Sequence, residues 1–206
     1  QCDPHSEEAR QMAVHAYDVI EMAKTGVTLP EALVGWQRAV ATTARSRDLQ
    51  TPLERPELTL PWLLETVPSA LIFGPEDRGL NNDEMLHAQR FMKIETRPPY
   101  ESLNLAQAVA ICCYELSQVG QRATQTALPV QVSTPTTAAT LDELDGYYRH
   151  LESILLKIGY LYPHTAASRM RKFRQLGHRA DLSAEEVAML RGILRQIDWA
   201  THQGTD

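Results

Sequence analysis

The chain has 206 residues, 43% of them hydrophobic, and a formal net charge of −6 at neutral pH. That is enough apolar material for one large or two small cores, no apolar run approaches the ~18 residues of a membrane span, and the acid excess argues against indiscriminate binding of nucleic acid. Three cysteines, two of them the adjacent Cys112 and Cys113, and seven scattered histidines offer neither a disulfide framework nor metal-ligand spacing, so reduced thiols, no metal and a cytoplasmic location are expected.

The opening QCDPHSEEAR has no basic-then-apolar signal pattern and no initiator Met, and it reads as a connecting turn, which leads to the expectation that a preceding segment of the natural protein is missing. Ser6 is a natural N-cap. It predicts a helix from Glu7 to about Lys24, with Met12, His15, Val19 and Met22 near helical spacing and Gly26 past its end. Thr28 and Glu31 form a capping box with Pro30 in the first turn, predicting a short helix to about Gly35. A strand is expected at 38–42. Residues 43–61, with Pro52 and Pro56, read as a loop, followed by a short helix at 62–65 and a strand at 70–73.

Beyond that strand lies IFGPEDRGLNNDEM, residues 72–85. Gly74 and Gly79 have the spacing of a phosphate-cradling loop, but Leu80 and Asn81 stand where such a loop needs Lys and Ser or Thr, so a nucleoside triphosphate site is not expected. A tight strand-to-helix turn is the plainer alternative. A helix at 83–88, a strand at 91–95, the proline-interrupted RPPYESLN and a long Ala-rich buried helix at 103–119 complete this half. The cysteine pair serves that helix as small apolar filling. Alternating strands and helices imply an α/β layer with a largely parallel sheet, whose ligands bind at the carboxyl ends of the strands. The loops there are TTARSR, GPEDRGL and RPPYESLN.

An uncharged Thr- and Pro-rich run, assigned to 126–139, divides the chain into a domain over 1–125 and a helical extension over 140–206. Thr140 and Glu143 make a capping box for a helix whose apolar positions are Leu141, Leu144, Tyr148, Leu151, Leu155 and Ile158. Ser183 and Glu186 cap a last helix through Val187, Leu190, Leu194 and Ile197. Between them RMRKFRQLGHR carries Arg169, Arg171, Lys172, Arg174 and Arg179 without an acid, either a solvated helix face or a polyanion contact.

Three stretches now stand together: ATTARSR at 41–47, IFGPEDRGLNNDE at 72–84 and ESLNLAQAVAICCYEL at 101–116. In order and spacing they resemble the motifs of the SpoU, or TrmH, family of SPOUT methyltransferases, and most closely its TrmJ branch of tRNA ribose 2′-O-methyltransferases. The MRKFRQL and LRGIL segments resemble that branch's C-terminal extension. The resemblance implies a knotted SPOUT domain, with a parallel sheet flanked by helices and a C-terminal trefoil knot, plus a small all-helical C-terminal domain. It further implies S-adenosylmethionine as cofactor and an obligate homodimer. The expected reaction is methylation of a ribose 2′-hydroxyl of tRNA, at a pyrimidine of the anticodon loop. The alternatives are an rRNA 2′-O-methyltransferase and a non-catalytic RNA-binding member. The partner would be tRNA or rRNA rather than DNA or a membrane.

By matching position, Thr42, Thr43, Ala44, Gly74, Ile94, Glu101, Ser102 and Leu103 would line the cofactor site, with Gly74 against the ligand because a side chain there would occupy its space. Ser102, Asn104 and Glu76 correspond to motif residues expected to act in catalysis. Each also has an ordinary reading: Ser102 as N-cap of the helix at Leu103, Asn104 in a turn, Glu76 as a solvated carboxylate. Glu101 departs from the small polar residue common there. Arg45, Arg47 and Arg78 beside the loops, with Arg169, Arg171, Lys172 and Arg174, would grip RNA phosphates. Family members help the hydroxyl lose its proton with an Arg from an N-terminal motif, and no stretch of this sequence matches that motif.

Overall fold

A computed structural model of the chain describes residues 3–44, 52–65, 67–97, 102–125 and 138–203. Arg45, Arg47, Glu101 and nearly all of the Thr/Pro-rich run lie outside the described residues. The chain forms two compact units, Gln1–Ala32 and Leu33–Asp206.

The first unit holds three short helices, α1 (Glu7–Ala13), α2 (Tyr17–Glu21) and α3 (Leu29–Ala32). The single helix expected to reach Lys24 is therefore broken. Ser6 does cap it, accepting from the Ala9 N–H at 3.2 Å, but Val14 ends it at φ +53°. No residue of α1 or α2 is buried, so no packed face holds the two segments in line, and local chemistry decides. At the third helix, Glu31 accepts from both the Thr28 N–H and the Thr28 hydroxyl, each at 2.7 Å. The helix is shorter than expected, ending at Ala32.

The second unit contains a four-stranded sheet of β1 (Arg38–Thr42), β2 (Leu53–Glu54), β3 (Ser69–Ile72) and β4 (Arg90–Met92). Its order is β2-β4-β1-β3 and every pairing is parallel, as the alternation of elements predicts. Ala39, Val40 and Ala41 of the central strand are fully buried, the continuous apolar run of a parallel strand covered on both faces. Strand β2 and helix α4 (Pro56–Leu63) replace the later part of the expected loop. Pro56 starts this helix rather than breaking one, because its fixed φ and missing N–H are harmless in the first turn. Leu60 and Leu63 of α4 join Val40, Met92 and Cys112 in the core.

Helix α5 (Asn82–Met85) starts one residue before the expected 83–88 and ends three residues short of it, and Asn81 and Glu84 close a full capping box around it. Helix α6 (Leu105–Gln125) starts two residues later than expected and runs longer. The extension packs α7 (Leu141–Lys157), α8 (Pro163–Ala180) and α9 (Ala184–Gln203) around a common core. The buried stripe on α7 is Leu141, Leu144, Tyr148, Leu151 and Ile154; Leu155 and Ile158, expected on it, are half-buried and exposed. The last turn of α7 meets α9 through an ion pair instead, Lys157 to Asp198 at 2.7 Å, so the apolar pattern outlasts the apolar contact. Tyr148 is 1% exposed; its hydroxyl donates to the Arg174 carbonyl at 3.4 Å. The extension is tied to the start of β1: the Leu141 N–H donates to the Trp36 carbonyl at 2.7 Å, the Gly35 N–H to Asp142 at 2.9 Å, and Gln37 to the Ala138 carbonyl at 3.0 Å.

Candidate active site

Because β3, β1 and β4 are adjacent and parallel, their following loops emerge side by side at one end of the sheet. Thr42 pairs with Met92 across β1 and β4, and Ala41 with Ile72 across β1 and β3. That register brings Thr42–Ala44, Phe73–Gly74 and Lys93–Ile94 to the same level. The ends are stitched together. The Thr42 hydroxyl donates to the Ile72 carbonyl at 3.1 Å, and the Thr43 N–H donates to the Met92 carbonyl at 3.0 Å. Ile94 packs against the core under this end.

The glycine loop is folded back on itself. A Cβ on Gly74 would fall on the backbone of Gly79 and Leu80, far inside contact distance, and Gly79 sits at φ +69° in the left-handed region. The Gly79 N–H donates to the Pro75 carbonyl at 2.8 Å, closing a turn over Glu76–Arg78. Gly74 is thus required, but the structure gives a different reason from the one expected of it: its missing side chain makes room for the loop's own returning strand. The turn also presents Glu76 to the start of α6. Asn104 donates its side-chain N–H to Glu76 Oε1, and the Leu105 N–H donates to the same oxygen at 3.3 Å. Asn104 caps the helix as well, its Oδ1 accepting from the Ala106 N–H at 2.9 Å and its carbonyl from the Ala108 N–H at 3.0 Å.

This settles two of the ordinary alternatives. Asn104, not Ser102, caps α6; Ser102 is exposed two residues ahead of it and Leu103 is half-buried between them. Glu76 is no free loop carboxylate, since it ties the loop after β3 to the helix after β4 across 28 residues of sequence. A carboxylate at a helix N-terminus is favoured by the unpaired amides and dipole there. Glu76 Oε2 makes no hydrogen bond among the described residues. Residue spacing alone cannot reveal this link, although an acid in one loop and Asn-Leu opening a helix in the next is the pattern that would suggest it.

Arg78 is held by Glu84 through both terminal nitrogens at 2.9 Å, with a further bond to the Gly79 carbonyl at 3.0 Å. The guanidinium fork and the Asn81 N–H together hold the Glu84 carboxyl down at about 2. The basic residues of α8 are not equivalent. Arg169 is exposed, its guanidinium 5.7 Å from the Tyr160 ring centre. Arg174 lies 4.7 Å over the Tyr148 ring and donates to Asp145 at 2.7 Å, with only 16% of its side chain exposed. Burial works against ionisation of Asp145, but that bond and charge, with Arg149 and His87 adding, keep its carboxyl below the ordinary range. Arg171, Lys172 and Arg179 have no carboxylate partner among the described residues. Burial lifts the Cys112 thiol to about 11, which leaves it a core group rather than a nucleophile.

A parallel sheet with its loops gathered at the carboxyl ends, a self-folded glycine loop and a carboxylate latch stand where open α/β sheets bind their ligands, without the lysine of a phosphate loop. Residues 1–114 match the SpoU rRNA methylase family and residues 142–206 match the C-terminal domain of the tRNA methyltransferase TrmJ. The chain belongs to the SpoU methylase family. It is 38% identical over 196 residues to the tRNA (cytidine/uridine-2′-O-)-methyltransferase TrmJ of Cronobacter sakazakii, a match covering 93% of this chain and 79% of that protein. The protein of the same name from Klebsiella pneumoniae is also 38% identical, over 194 residues and 80% of its length. The crystal structure of TrmJ from Z. mobilis ZM4 superposes with a TM-score of 0.77 at 29% identity, covering 94% of this chain and 81% of that one.

Proposed function

We propose that this chain catalyses methylation of a ribose 2′-hydroxyl of tRNA, at cytidine or uridine in the anticodon loop, with S-adenosylmethionine as methyl donor. The observation that carries this reading is the Glu76 latch, which joins two of the three sequence motifs at the carboxyl ends of the strands. The relatives' names supply the substrate class.

The donor set suits this cofactor. Thr42, Thr43, Ala44 and Gly74 offer backbone groups and small side chains, Ile94 an apolar wall, and Ser102 and Leu103 the edge toward α6, with Glu101 completing it outside the described residues. Such a lining can hold an adenosine and an amino-acid tail through amides and carbonyls without a cation clamp. S-adenosylmethionine, when bound, supplies a methyl on a sulfonium that departs as a neutral thioether. What remains for the chain is positioning. Glu76 and Asn104 hold the loop after β3 against α6, so the cofactor's wall and the acceptor's seat move as one body. Glu76 Oε2, which makes no hydrogen bond among the described residues, accepts one from a ribose hydroxyl, and Ser102 orients the same sugar. Arg169, Arg171 and Lys172 grip the RNA, as do Arg45 and Arg47 outside the described residues; Arg78 adds charge while fixed to Glu84.

Leu58 of α4, Leu64 just after it and Tyr114 of α6 are exposed; a second copy would pack over such apolar groups, and a trefoil knot at the carboxyl end of the first domain, 1–125, would lie beneath it. The test is transfer of labelled methyl from S-adenosylmethionine to unmodified tRNA and rRNA. Label in tRNA at a 2′-O-methylpyrimidine supports the proposal. Label in rRNA alone would move the substrate, and binding of tRNA without transfer would leave an RNA-binding member of the family.

A further inference from the structure

At the other end of the sheet, beside the amino end of β4, a cavity of about 730 Å³ opens between the sheet and α8. Trp62 and Arg90 line its sheet side; Arg171, Lys172, His178 and Arg179 line its helix side. Arg90 is anchored rather than mobile: its guanidinium lies 4.7 Å from the Trp62 ring centre and 3.5 Å from Glu54. Arg38 packs on the same indole at 4.6 Å and is paired with Glu65, so Trp62 is held from behind the lining and presents Arg90 as a fixed cation on the sheet side. Across from it, Arg171, Lys172 and Arg179 have no carboxylate partner among the described residues, and only Asp181 adds a further acid to the lining. At 1.5 Å of rise per residue, Arg171 and Arg179 are roughly 12 Å apart along α8. A row of that length suits a chain of charges rather than one small anion. The wall and the row are fixed relative to each other through the hydrogen bonds of Leu141, Gly35 and Gln37 that hold the extension to the start of β1.

We propose that this cleft is a second RNA seat, in which the phosphate backbone of the substrate runs between Arg90 of the sheet and Arg171, Lys172 and Arg179 of α8, at the opposite end of the strands from the methyl-transfer loops. It rests on the reading of the chain as an RNA methyltransferase. It goes beyond a basic helix face because it requires the sheet as the second wall. The seat fixes the RNA at two points about a strand's length apart, so it sets which ribose reaches the loops. Arg174 takes no part, being held by Asp145 and Tyr148.

The experiment measures tRNA affinity of the full chain against salt, with methylation kinetics, for R90Q, K172Q, the double variant and R171A/K172A/R179A. Cofactor titration and thermal unfolding serve as controls of folding. In the triple variant the slope of log affinity on log salt should flatten by about 2 units, and KM for tRNA should rise at least tenfold, well beyond any change in kcat. R90Q and K172Q should show less than additive losses, because both touch one backbone segment. An unchanged affinity and slope in the triple variant overturns the seat. Loss confined to the helix variants, with R90Q like wild type, also overturns it, by placing RNA on the outer face of α8. If the wild type neither binds nor methylates RNA, the proposed function fails first, and that outcome is visible before any variant is made.

Discussion

The two ends of the sheet are made of opposite materials. At the carboxyl ends stand Thr42, Thr43, Ala44 and Gly74, with bonds running mainly through backbone and with Glu76 as the latch. At the amino ends stand Arg38 and Arg90, both stacked on Trp62, with the basic face of α8 opposite Arg90. The first end is shaped by close approach of backbone and tolerates few side chains; the second is shaped by long cationic ones. That difference is what an enzyme needs when one substrate is a compact cation and the other a polyanion. With the second seat at the amino ends, only the reacting nucleotide and its neighbours need approach the latch carboxylate, and Arg78 stands beside it to offset the charge.

The sharpest break in the comparison is G74V. Its side chain would collide with the Gly79–Leu80 backbone, so the loop must open, and cofactor affinity by calorimetry should fall more than a hundredfold while tRNA affinity at the far end falls much less. Loss of both together would mean that the two ends are not independent.

Next come E76Q and N104A. Each weakens the latch, and single-turnover methyl transfer should slow by roughly tenfold to a thousandfold, about 1.4–4 kcal/mol of transition-state stabilisation. Cofactor binding should fall less than rate, and wild-type rates in both variants would remove the latch from the mechanism.

R174A addresses a basic residue that resembles its neighbours only in sequence. It leaves the partly buried Asp145 with only the exposed Arg149 as ion-pair partner, so the cost should appear as about 1–3 kcal/mol of stability in denaturant titrations. The salt slope of RNA binding should not change. S102A should slow transfer without this loss of stability.

The extension should also be acid-sensitive. His178 meets the edge of Tyr148 at 6.2 Å, and burial, with Arg174 adding, lowers its pKa from 6.5 to about 4. The unfolded chain therefore binds a proton between these values that the folded chain does not. Stability is full above about pH 6.5 and declines toward pH 4, by up to about 3 kcal/mol. His87, lowered chiefly by burial, and Asp145 act in the same direction. H178Q should flatten the decline in unfolding free energy measured at pH 7.5, 5.5 and 4.5.

The smallest effect expected is that of G79A. Its φ is +69° but nothing lies within 4 Å of the added methyl, so only the left-handed backbone is strained, by about 1–2 kcal/mol. The contrast with Gly74 separates a glycine needed for space from one needed for conformation.

The parallel sheet, the capping boxes at Thr140 and Ser183, and the motif residues that meet at the carboxyl ends were legible in the sequence, because strand periodicity, cap chemistry and motif spacing are local; the box at Asn81 was not read there. What was not legible is tertiary. Pro56 reads as a breaker until it is known to be the first residue of a helix. Val14 ends α1 although no glycine or proline announces it, because nothing buries α1. Arg174 looks like Arg171 until Tyr148 and Asp145 are seen beneath it. Glu76 and Asn104 belong to separate motifs, and only the fold shows that one holds the other.

The most direct measurement is single-turnover methyl transfer from labelled S-adenosylmethionine to unmodified tRNA by the full-length enzyme, followed by digestion to nucleosides and mapping of the labelled position. The account predicts label in one 2′-O-methylated cytidine or uridine of the anticodon loop, reduced at least tenfold in E76Q. Label on a base rather than a ribose, or equal transfer by E76Q, would contradict it.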